Sequence, residues 1–206
     1  TYCNLIMKEA DNGMNQVLVN RPVLEEYIRR QYPGFKLISS TTKRITGLDG
    51  LLEELNKDYF LVVLDYDLNH NEEVLSAIGE QADKVEILVN EICYPGCPKR
   101  SEHYRQQSQM QLEYDIDAAF PCPNKTRERK FEECKERPSF ISREQIREYA
   151  DRGFVNFKIV GRGMPMDFVK ESYLYYLVKD DSRAFIRNKM ESTLNQFAQA
   201  MRKRKA

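Results

Sequence analysis

The feature that most constrains the fold is an alternation of strand-like and helix-like segments that repeats five times along the chain. Each predicted strand is a short run rich in β-branched and other apolar residues, and helical spacing of apolar side chains follows it. The predicted strands cover residues 16–20, 35–40, 59–66, 85–90 and 154–160. Strands that alternate with helices pair in parallel, through right-handed crossovers. The sequence therefore predicts an α/β protein with a parallel sheet.

The predicted helices connect and extend these strands. They cover residues 2–11, 23–32, 45–55, 72–80, 100–112, 142–152, 167–177 and 181–200. In the last of them, Phe185, Ile186, Met190, Leu194 and Phe197 recur at helical spacing. Such a stripe is typical of a helix face that packs on a core, so we expect these residues to be buried.

Two parallel architectures fit this alternation, an open doubly wound sheet and a (β/α) TIM-like barrel. A dinucleotide-binding doubly wound sheet carries a Gly-rich turn after a strand, and none of the predicted strands is followed by one. The pattern favours one TIM-barrel-like domain over residues 1–206. A full barrel has eight βα units, so about five units predict an incomplete one. Its open edges would be covered by a further segment or by a second copy of the chain, as in a homo-oligomer.

Charge and hydropathy narrow the classes of partner. Lys plus Arg and Asp plus Glu number 32 each, so any nucleic-acid-binding patch has to be local. The basic tail at residues 201–206 is such a patch, and a solvated chain end is the simpler interpretation. No apolar run is long enough to span a membrane, and no signal peptide precedes the first predicted helix. We therefore expect a cytoplasmic protein without membrane contact, and the initial Thr indicates a piece of a longer protein.

The cysteines are the strongest chemical signal. They stand at Cys3, Cys93, Cys97, Cys122 and Cys134. Disulfides are rare inside cells, so the last four, which lie in a cysteine-bearing insertion at residues 93–137, predict metal ligation or a reactive thiol. Four thiolates suit either a tetrahedral zinc or an iron-sulfur cluster, and spacing alone does not choose between them. Cys3 is interpreted as an ordinary small apolar residue.

Several polar residues follow predicted strands, at the sheet edge where a barrel builds its site. The substrate-binding candidates are Asp65, Asn90, Glu91, His103, Lys158 and Arg162. Helix capping or a surface ion pair explains any one of the five strand-end residues equally well, and for His103 an exposed position on a helix is the simpler interpretation.

One segment resembles a known family. The residues FKIVGR at 157–162 lie after a helix that ends at Gly153 and before a tyrosine-rich helix, and they resemble the FKIEGR segment of the collagenase-like peptidases of unassigned catalytic type. The strand and Cys-bearing loop at residues 85–97, and the Ser-Ser-Thr strand end at residues 37–41, extend the resemblance. Members are barrel proteins, so the resemblance implies a barrel whose first strands precede this chain.

The resemblance also implies a cofactor and an activity. Several members carry a [4Fe-4S] cluster on four cysteines and act in oxygen-independent hydroxylation of RNA bases or ubiquinone precursors, while others have been called proteases. Carried over, it makes Cys93, Cys97, Cys122 and Cys134 the cluster ligands and Lys158 and Arg162 a strand-end pair. The chain departs from the family in its cysteine spacings and at Val160, where Glu is usual.

These observations lead to one hypothesis and two alternatives. The hypothesis is an iron-sulfur barrel protein that hydroxylates, or otherwise modifies by redox chemistry, a small molecule or a nucleic-acid base. The first alternative is a zinc-stabilised binding module without catalysis. The second is a peptidase, although neither His70 nor His103 lies in an HExxH context and no serine lies on a nucleophile elbow.

Overall fold

A computed structural model describes residues 2–114, 120–122, 129–161 and 163–203. Within these ranges the chain forms a five-stranded sheet, parallel throughout, with helices packed against it. The α/β class and the five predicted strands are confirmed.

The strands lie within the predicted segments. They are β1 (Gln16–Val19), β2 (Lys36–Ser39), β3 (Leu61–Val63), β4 (Val85–Leu88) and β5 (Asn156–Lys158). The described helices before the cysteine loop are α1 (Tyr2–Ala10), α2 (Pro22–Gln31), α3 (Leu48–Leu55) and α4 (Glu72–Ile78). Those after it are α5 (Arg100–Glu113), α6 (Phe131–Lys135), α7 (Arg143–Asp151), α8 (Met166–Leu177) and α9 (Arg183–Lys203). Short 3₁₀ turns lie at Thr41–Lys43, Tyr66–Leu68, Gly79–Lys84 and Asp180–Ser182.

The strands follow one another across the sheet in chain order, from β1 to β5. Val17 pairs with Leu37, Ile38 with Leu61, and Val62 with Val85. A doubly wound sheet reverses direction at a switch point, and this sheet does not. Consecutive order is what part of a TIM-like barrel has, with β1 and β5 as the outer strands.

Both faces of the sheet bury apolar side chains, as expected for parallel strands. Leu37, Val62 and Ile87 pack into the main core beneath the helices. Val63 and Leu88 form a smaller cluster on the opposite face, which also contains the three residues Ile38, Leu61 and Tyr66. Because the strands are parallel, the polar residues that follow them lie at one edge of the sheet, between these two apolar layers.

Local capping sets where several elements begin. The Ser142 side chain accepts a hydrogen bond from the Gln145 backbone amide, and the Gln145 side chain accepts one from the Ser142 backbone amide, so α7 begins with a capping box. Asn71 caps α4 in a similar way. The third strand ends earlier than predicted because the Asp65 carboxylate accepts from the Asp67 amide and starts the Tyr66–Leu68 turn.

Two expectations about the later part of the chain were wrong. No helix is predicted between residues 112 and 142, yet α6 forms there because Phe131 and Cys134 are buried against Phe168. The apolar stripe of α9 is not core: Phe185 is 71% exposed and Phe197 is 66% exposed. Helical spacing places side chains on one face of a helix, but it does not supply a surface to cover that face.

No helix in the described ranges is both long enough and apolar enough to cross a membrane. Residues 201–203 of the predicted basic tail continue α9, and residues 204–206 lie outside the description.

Candidate functional site

Three loops meet at the edge of the sheet where β2, β3 and β4 end. The first holds the Thr41–Lys43 turn and ends at Arg44, the second begins with Asp65, and the third carries residues 89–99. Parallel α/β folds bind their ligands at this edge. The side chains of these loops therefore form the first candidate site.

The centre of this edge is a group of charged residues, which we name the Arg44 cluster. Its members are Arg44, Asp65, Tyr66, Asp67 and Arg100. Arg44 Nη1 lies 2.5 Å from Asp65 Oδ2, and Arg44 Nη2 lies 2.8 Å from Asp67 Oδ2. Arg100 Nη1 lies 3.0 Å from Asp67 Oδ1, and its guanidinium carbon lies 3.9 Å from the centre of the Tyr66 ring. Arg100 is only 1% exposed, so the ion pairs lie largely out of water.

The Arg44 cluster fixes the cysteine loop to the end of β3. The Gly96 amide donates to Asp67 Oδ1 at 3.0 Å, and Arg100 Nη2 donates to the carbonyl of Tyr94. Gly96 has φ of +67°, a left-handed conformation that glycine adopts without strain. The loop carrying Cys93 and Cys97 and the charged edge are therefore one structural unit.

The carboxyl groups at this edge differ in acidity. Burial raises the pKa of Asp65, even though Arg44 and Arg100 oppose that change. Burial would also raise the pKa of Asp67, but hydrogen bonds from the same two arginines hold it below its usual value. Burial raises the pKa of Glu91 as well. The edge thus combines an acidic Asp67 with carboxyl groups that protonate more readily.

Two buried polar atoms of the Arg44 cluster have no hydrogen-bond partner among the described residues. They are Nε of Arg100 and the hydroxyl of Tyr66. Burial raises the pKa of Tyr66, and Tyr104, Glu91 and Cys93 add to that rise. Cys93 and Tyr104 are polar neighbours of the Tyr66 hydroxyl, and neither makes a hydrogen bond of full geometry with it. An unmade buried hydrogen bond costs about 1–3 kcal/mol, so such atoms call for an explanation beyond stability.

A second charged group, which we name the Lys43 cluster, lies on the helix side of the sheet. Its members are Glu25, Ser39, Lys43, Glu54, Lys57 and Tyr59. Lys43 Nζ lies 2.7 Å from Glu54 Oε1 and 2.7 Å from the Tyr59 hydroxyl. Burial alone would raise the pKa of Glu54, but hydrogen bonds from Lys43, Lys57 and Ser39 hold it at about 2. This cluster ties α2 and α3 to the sheet.

The structure places the predicted substrate-binding residues in different surroundings. Asp65 belongs to the Arg44 cluster. Asn90 is fully buried, donates to the Val160 carbonyl and the Ser172 hydroxyl, and accepts from the Val160 amide. Those bonds use its amide group to join β4 to the end of β5 and to α8.

The remaining predicted substrate-binding residues are not members of the Arg44 cluster. Glu91 accepts from the Cys93 amide at 3.0 Å. The His103 ring stacks on Phe120 with 4.5 Å between ring centres, and burial and Arg129 lower its pKa. Lys158 Nζ lies 2.7 Å from Glu86 Oε2, so β5 and β4 share an ion pair. Arg162 lies outside the described residues.

The four predicted metal-binding cysteines are free thiols in the structure. Cys93, Cys97 and Cys122 are partly buried, and Cys134 is fully buried in α6. The Cys134 thiol lies 3.7 Å from the Glu91 carbonyl, and burial, together with Glu91, raises its pKa to about 12. A thiol in this environment stays protonated, whereas a metal ligand is a thiolate.

The described residues do not form a preorganised metal centre. Across residues 2–114, 120–122, 129–161 and 163–203, no three His, Cys, Asp or Glu side chains are grouped so that they would hold a metal ion. The four thiols would therefore have to lie closer together to share one cluster.

Arg44 and Arg100 are the members of the site that sequence reasoning missed. Arg44 stands shortly after a predicted strand, and Arg100 opens the helix that follows the cysteine loop. Their position after strands was the available signal, but basic residues are common at helix starts and in loops. Only the structure shows that both converge on Asp67.

Comparison with known proteins finds a relative whose name describes a protease. The chain is 28% identical over 184 residues to an uncharacterized protease of Methanocaldococcus jannaschii. The match covers 86% of this chain and 54% of that protein, so the chain spans about half the length of the curated relative it matches. No family model matches the chain, and no solved structure is significantly similar to it. The name of that relative describes it as a protease and says nothing of its substrate.

Proposed function

We propose that this chain is the substrate-binding part of an iron-sulfur (β/α)-barrel protein similar to the collagenase-like peptidases, which modifies its substrate by oxygen-independent hydroxylation or a related redox step. The observation that carries the proposal is the attachment of the cysteine loop to the charged strand edge. Gly96 and Arg100 join that loop to Asp67, so a ligand held by the Arg44 cluster lies beside Cys93 and Cys97.

The order of the strands supports the barrel part of the proposal. Five strands in sequence order, all parallel, are what the first, middle or last part of a barrel would show. The face opposite the main core carries the apolar cluster that includes Val63 and Leu88. Beside this cluster, the Glu86–Lys158 ion pair joins β4 to β5. In a closed barrel this face would be the interior.

The chain's own residues have a binding and positioning role in this proposal. Arg44 has a fixed guanidinium, and Arg100 has an unused Nε donor, so the edge can orient an anionic or carbonyl oxygen. The Tyr66 hydroxyl is free to donate to the same ligand. A [4Fe-4S] cluster on the four thiols would supply one-electron chemistry.

Metal analysis of anaerobically purified protein tests this function. We expect about four iron and four sulfide per chain after reconstitution, because a [4Fe-4S] cluster uses four thiolates. The variant Cys93→Ser should lose the iron, and the matched control Cys3→Ser should keep it, since Cys3 is exposed on α1, away from the cysteine loop.

The outcomes separate the hypotheses. A colourless protein with one zinc per chain would instead support a zinc-stabilised binding module. Protein that retains neither iron nor zinc, and whose thiols react equally with and without added iron and sulfide, would contradict both metal hypotheses.

A peptidase is the second candidate, and the name of the curated relative favours it. In this candidate a free thiol, Cys97, acts with His103, whose lowered pKa keeps its imidazole neutral and able to accept a proton. Metal-free protein should then cleave a fluorescent casein or gelatin substrate. Cleavage should be lost in Cys97→Ala and His103→Ala and retained in Cys3→Ala. Equal rates in all three variants would identify a contaminating protease.

A further inference from the structure

A cleft of about 730 Å³ lies between the start of α2, the loop after β2 and one face of α5. We name it the basic cleft because its charged lining residues are Arg21, Lys43, Arg44 and Arg105. Among the described residues that line it, none is Asp or Glu. Over the whole chain, acidic and basic residues are equal in number, so this separation of charge is local.

The four cations are not equally neutralised. Lys43 and Arg44 have carboxylate partners on the side away from the cleft, in the two clusters described above. Arg21 and Arg105 form no ion pair with a described residue, and both are exposed. Within the described part of the chain, the cleft therefore has an excess of positive charge and no carboxylate paired with Arg21 or Arg105, which favours an anionic occupant.

The backbone adds to this potential. Helix α2 begins with Pro22 at its first turn, and its N-cap residue, Arg21, makes no side-chain cap. The Leu24 and Glu25 amides donate to the Arg21 carbonyl and Glu25 is an acidic residue of this first turn, so the helix N-terminus adds only a small positive potential to the cleft. This effect alone would not define a site, but here it adds to four basic side chains.

The loop after β2 is held rigidly in a conformation that costs energy. Arg44 has φ of +61°, in the left-handed region, where a residue with a side chain is strained by about 1–2 kcal/mol. Asn20 donates to the Thr42 hydroxyl at 2.7 Å, and Ser40 contacts the same hydroxyl at 2.8 Å. These contacts fix the wall of the cleft and direct Arg44 between the cleft and Asp65.

We infer that the basic cleft binds a phosphate ester. Several converging cations suit a phosphate group better than a single carboxylate, because guanidinium groups match phosphate oxygens bidentately. The cleft is of a size that accepts a nucleotide-sized ligand, and Leu18, Leu24 and Tyr104 offer a surface for its organic part. The ester belongs either to a free phosphorylated small molecule or to the backbone of a nucleic acid.

This inference names a substrate class for the function proposed above, and it depends on that proposal only for the reaction that follows binding. Binding is measured on metal-free full-length chain, so a failure to bind phosphate is distinct from a failure to bind iron. The probes are inorganic phosphate, adenosine monophosphate and a short single-stranded oligonucleotide, each titrated calorimetrically at low and moderate salt.

We expect saturable binding that weakens at least about tenfold in the double variant Arg21→Gln/Arg105→Gln, since each lost charge-assisted contact is of the order of a tenfold change. The matched control is Arg147→Gln, which removes an exposed arginine of α7 that does not line the cleft and should change affinity less than about twofold. Thermal unfolding monitored by circular dichroism verifies that the variants are folded.

The two sources of the phosphate ester, a small molecule and a nucleic acid, predict different results. A phosphorylated small molecule predicts tighter binding of adenosine monophosphate with a weak dependence on salt, whereas a nucleic acid predicts tighter binding of the oligonucleotide with a steep dependence on salt. Either result supports the phosphate site. Absence of saturable binding for all three probes, or equal affinity in the wild type and the folded double variant, would overturn it.

Discussion

Lys43 and Arg44 are neighbours in sequence, yet they belong to two charged clusters with different properties. In the Lys43 cluster, the Glu54 carboxylate accepts from Ser39, Lys43 and Lys57, and each of its buried polar side-chain atoms in the described structure has a partner. In the Arg44 cluster, Arg100 Nε and the Tyr66 hydroxyl have none. One cluster is complete within the chain, and the other is not.

The difference shows that charge density alone does not identify a functional site. Both clusters are largely buried and hold arginine or lysine against carboxylates. Of the two, only the Arg44 cluster contacts the cysteine loop and leaves donors without a partner among the described residues. A cluster that uses all its hydrogen bonds stabilises the fold, whereas one that leaves some unmade has capacity for a ligand.

The largest expected effect comes from removing the buried cation of the Arg44 cluster. The substitution Arg100→Met leaves Asp65 and Asp67 with Arg44 alone and frees the cysteine loop, so the free energy of unfolding should fall by about 3–5 kcal/mol. Urea unfolding measures this change. Arg147→Met on the surface of α7 serves as the control, with a change within about 0.5 kcal/mol. A loss below about 1 kcal/mol for Arg100→Met would show that the ion pairs are not formed in solution.

The Lys43 cluster should respond less to a comparable change. The substitution Glu54→Gln keeps the shape of the side chain but removes the charge that Lys43 and Lys57 contact, so we expect a loss of about 2–3 kcal/mol. Glu53→Gln, on the exposed side of α3, is the matched control and should be nearly neutral. If both glutamates gave the same result, Glu54 would not be the centre of the cluster.

The same carboxylate gives a pH dependence with a defined sign. Glu54 has a pKa of about 2 in the folded protein against 4.5 ordinarily, so between these values the unfolded state binds more protons. Its contribution to stability is therefore full above pH 4.5 and is lost as the pH falls toward 2. Urea unfolding across this window should show a smaller acid destabilisation in Glu54→Gln than in the wild type. Parallel pH profiles in the two proteins would contradict the assignment.

The fold was largely predictable because its signals are local. Residues 85–90 read as a buried strand from β-branched composition alone, and β4 forms there. Strand and helix ends were less certain because they depend on single hydrogen bonds, such as the one from Asp67 to the Asp65 carboxylate. The exposure of Phe185 could not be read from the chain, since helical spacing reports a shared face and not what covers it.

The site was predictable only in part, because it depends on contacts between distant segments. Asp65 was identified because it lies at the carboxyl end of a predicted strand. Arg44 pairs with Asp65 across 21 residues, and Arg100 pairs with Asp67 across 33, so no motif of fixed spacing reveals either contact. Asn90 also follows a strand, yet its hydrogen bonds join β5 and α8. The position of a residue after a strand thus indicates an edge, and the loop geometry decides its role.

The smallest effects provide the sharpest comparison, because one hydroxyl group is removed from each cluster. The Tyr59 hydroxyl donates to Glu25 at 2.5 Å and accepts from Lys43, so Tyr59→Phe should lower the free energy of unfolding by about 1.5 kcal/mol. Among the described residues, the Tyr66 hydroxyl makes no hydrogen bond of full geometry, and its ring contact with Arg100 survives in Phe, so Tyr66→Phe should stay within about 0.5 kcal/mol of the wild type. Urea unfolding of both variants measures the contrast. Since a stability effect is expected only where the hydrogen bond is made, a larger loss in Tyr66→Phe would mean that its hydroxyl is already satisfied in solution, and the Arg44 cluster would then be a structural tie like its neighbour.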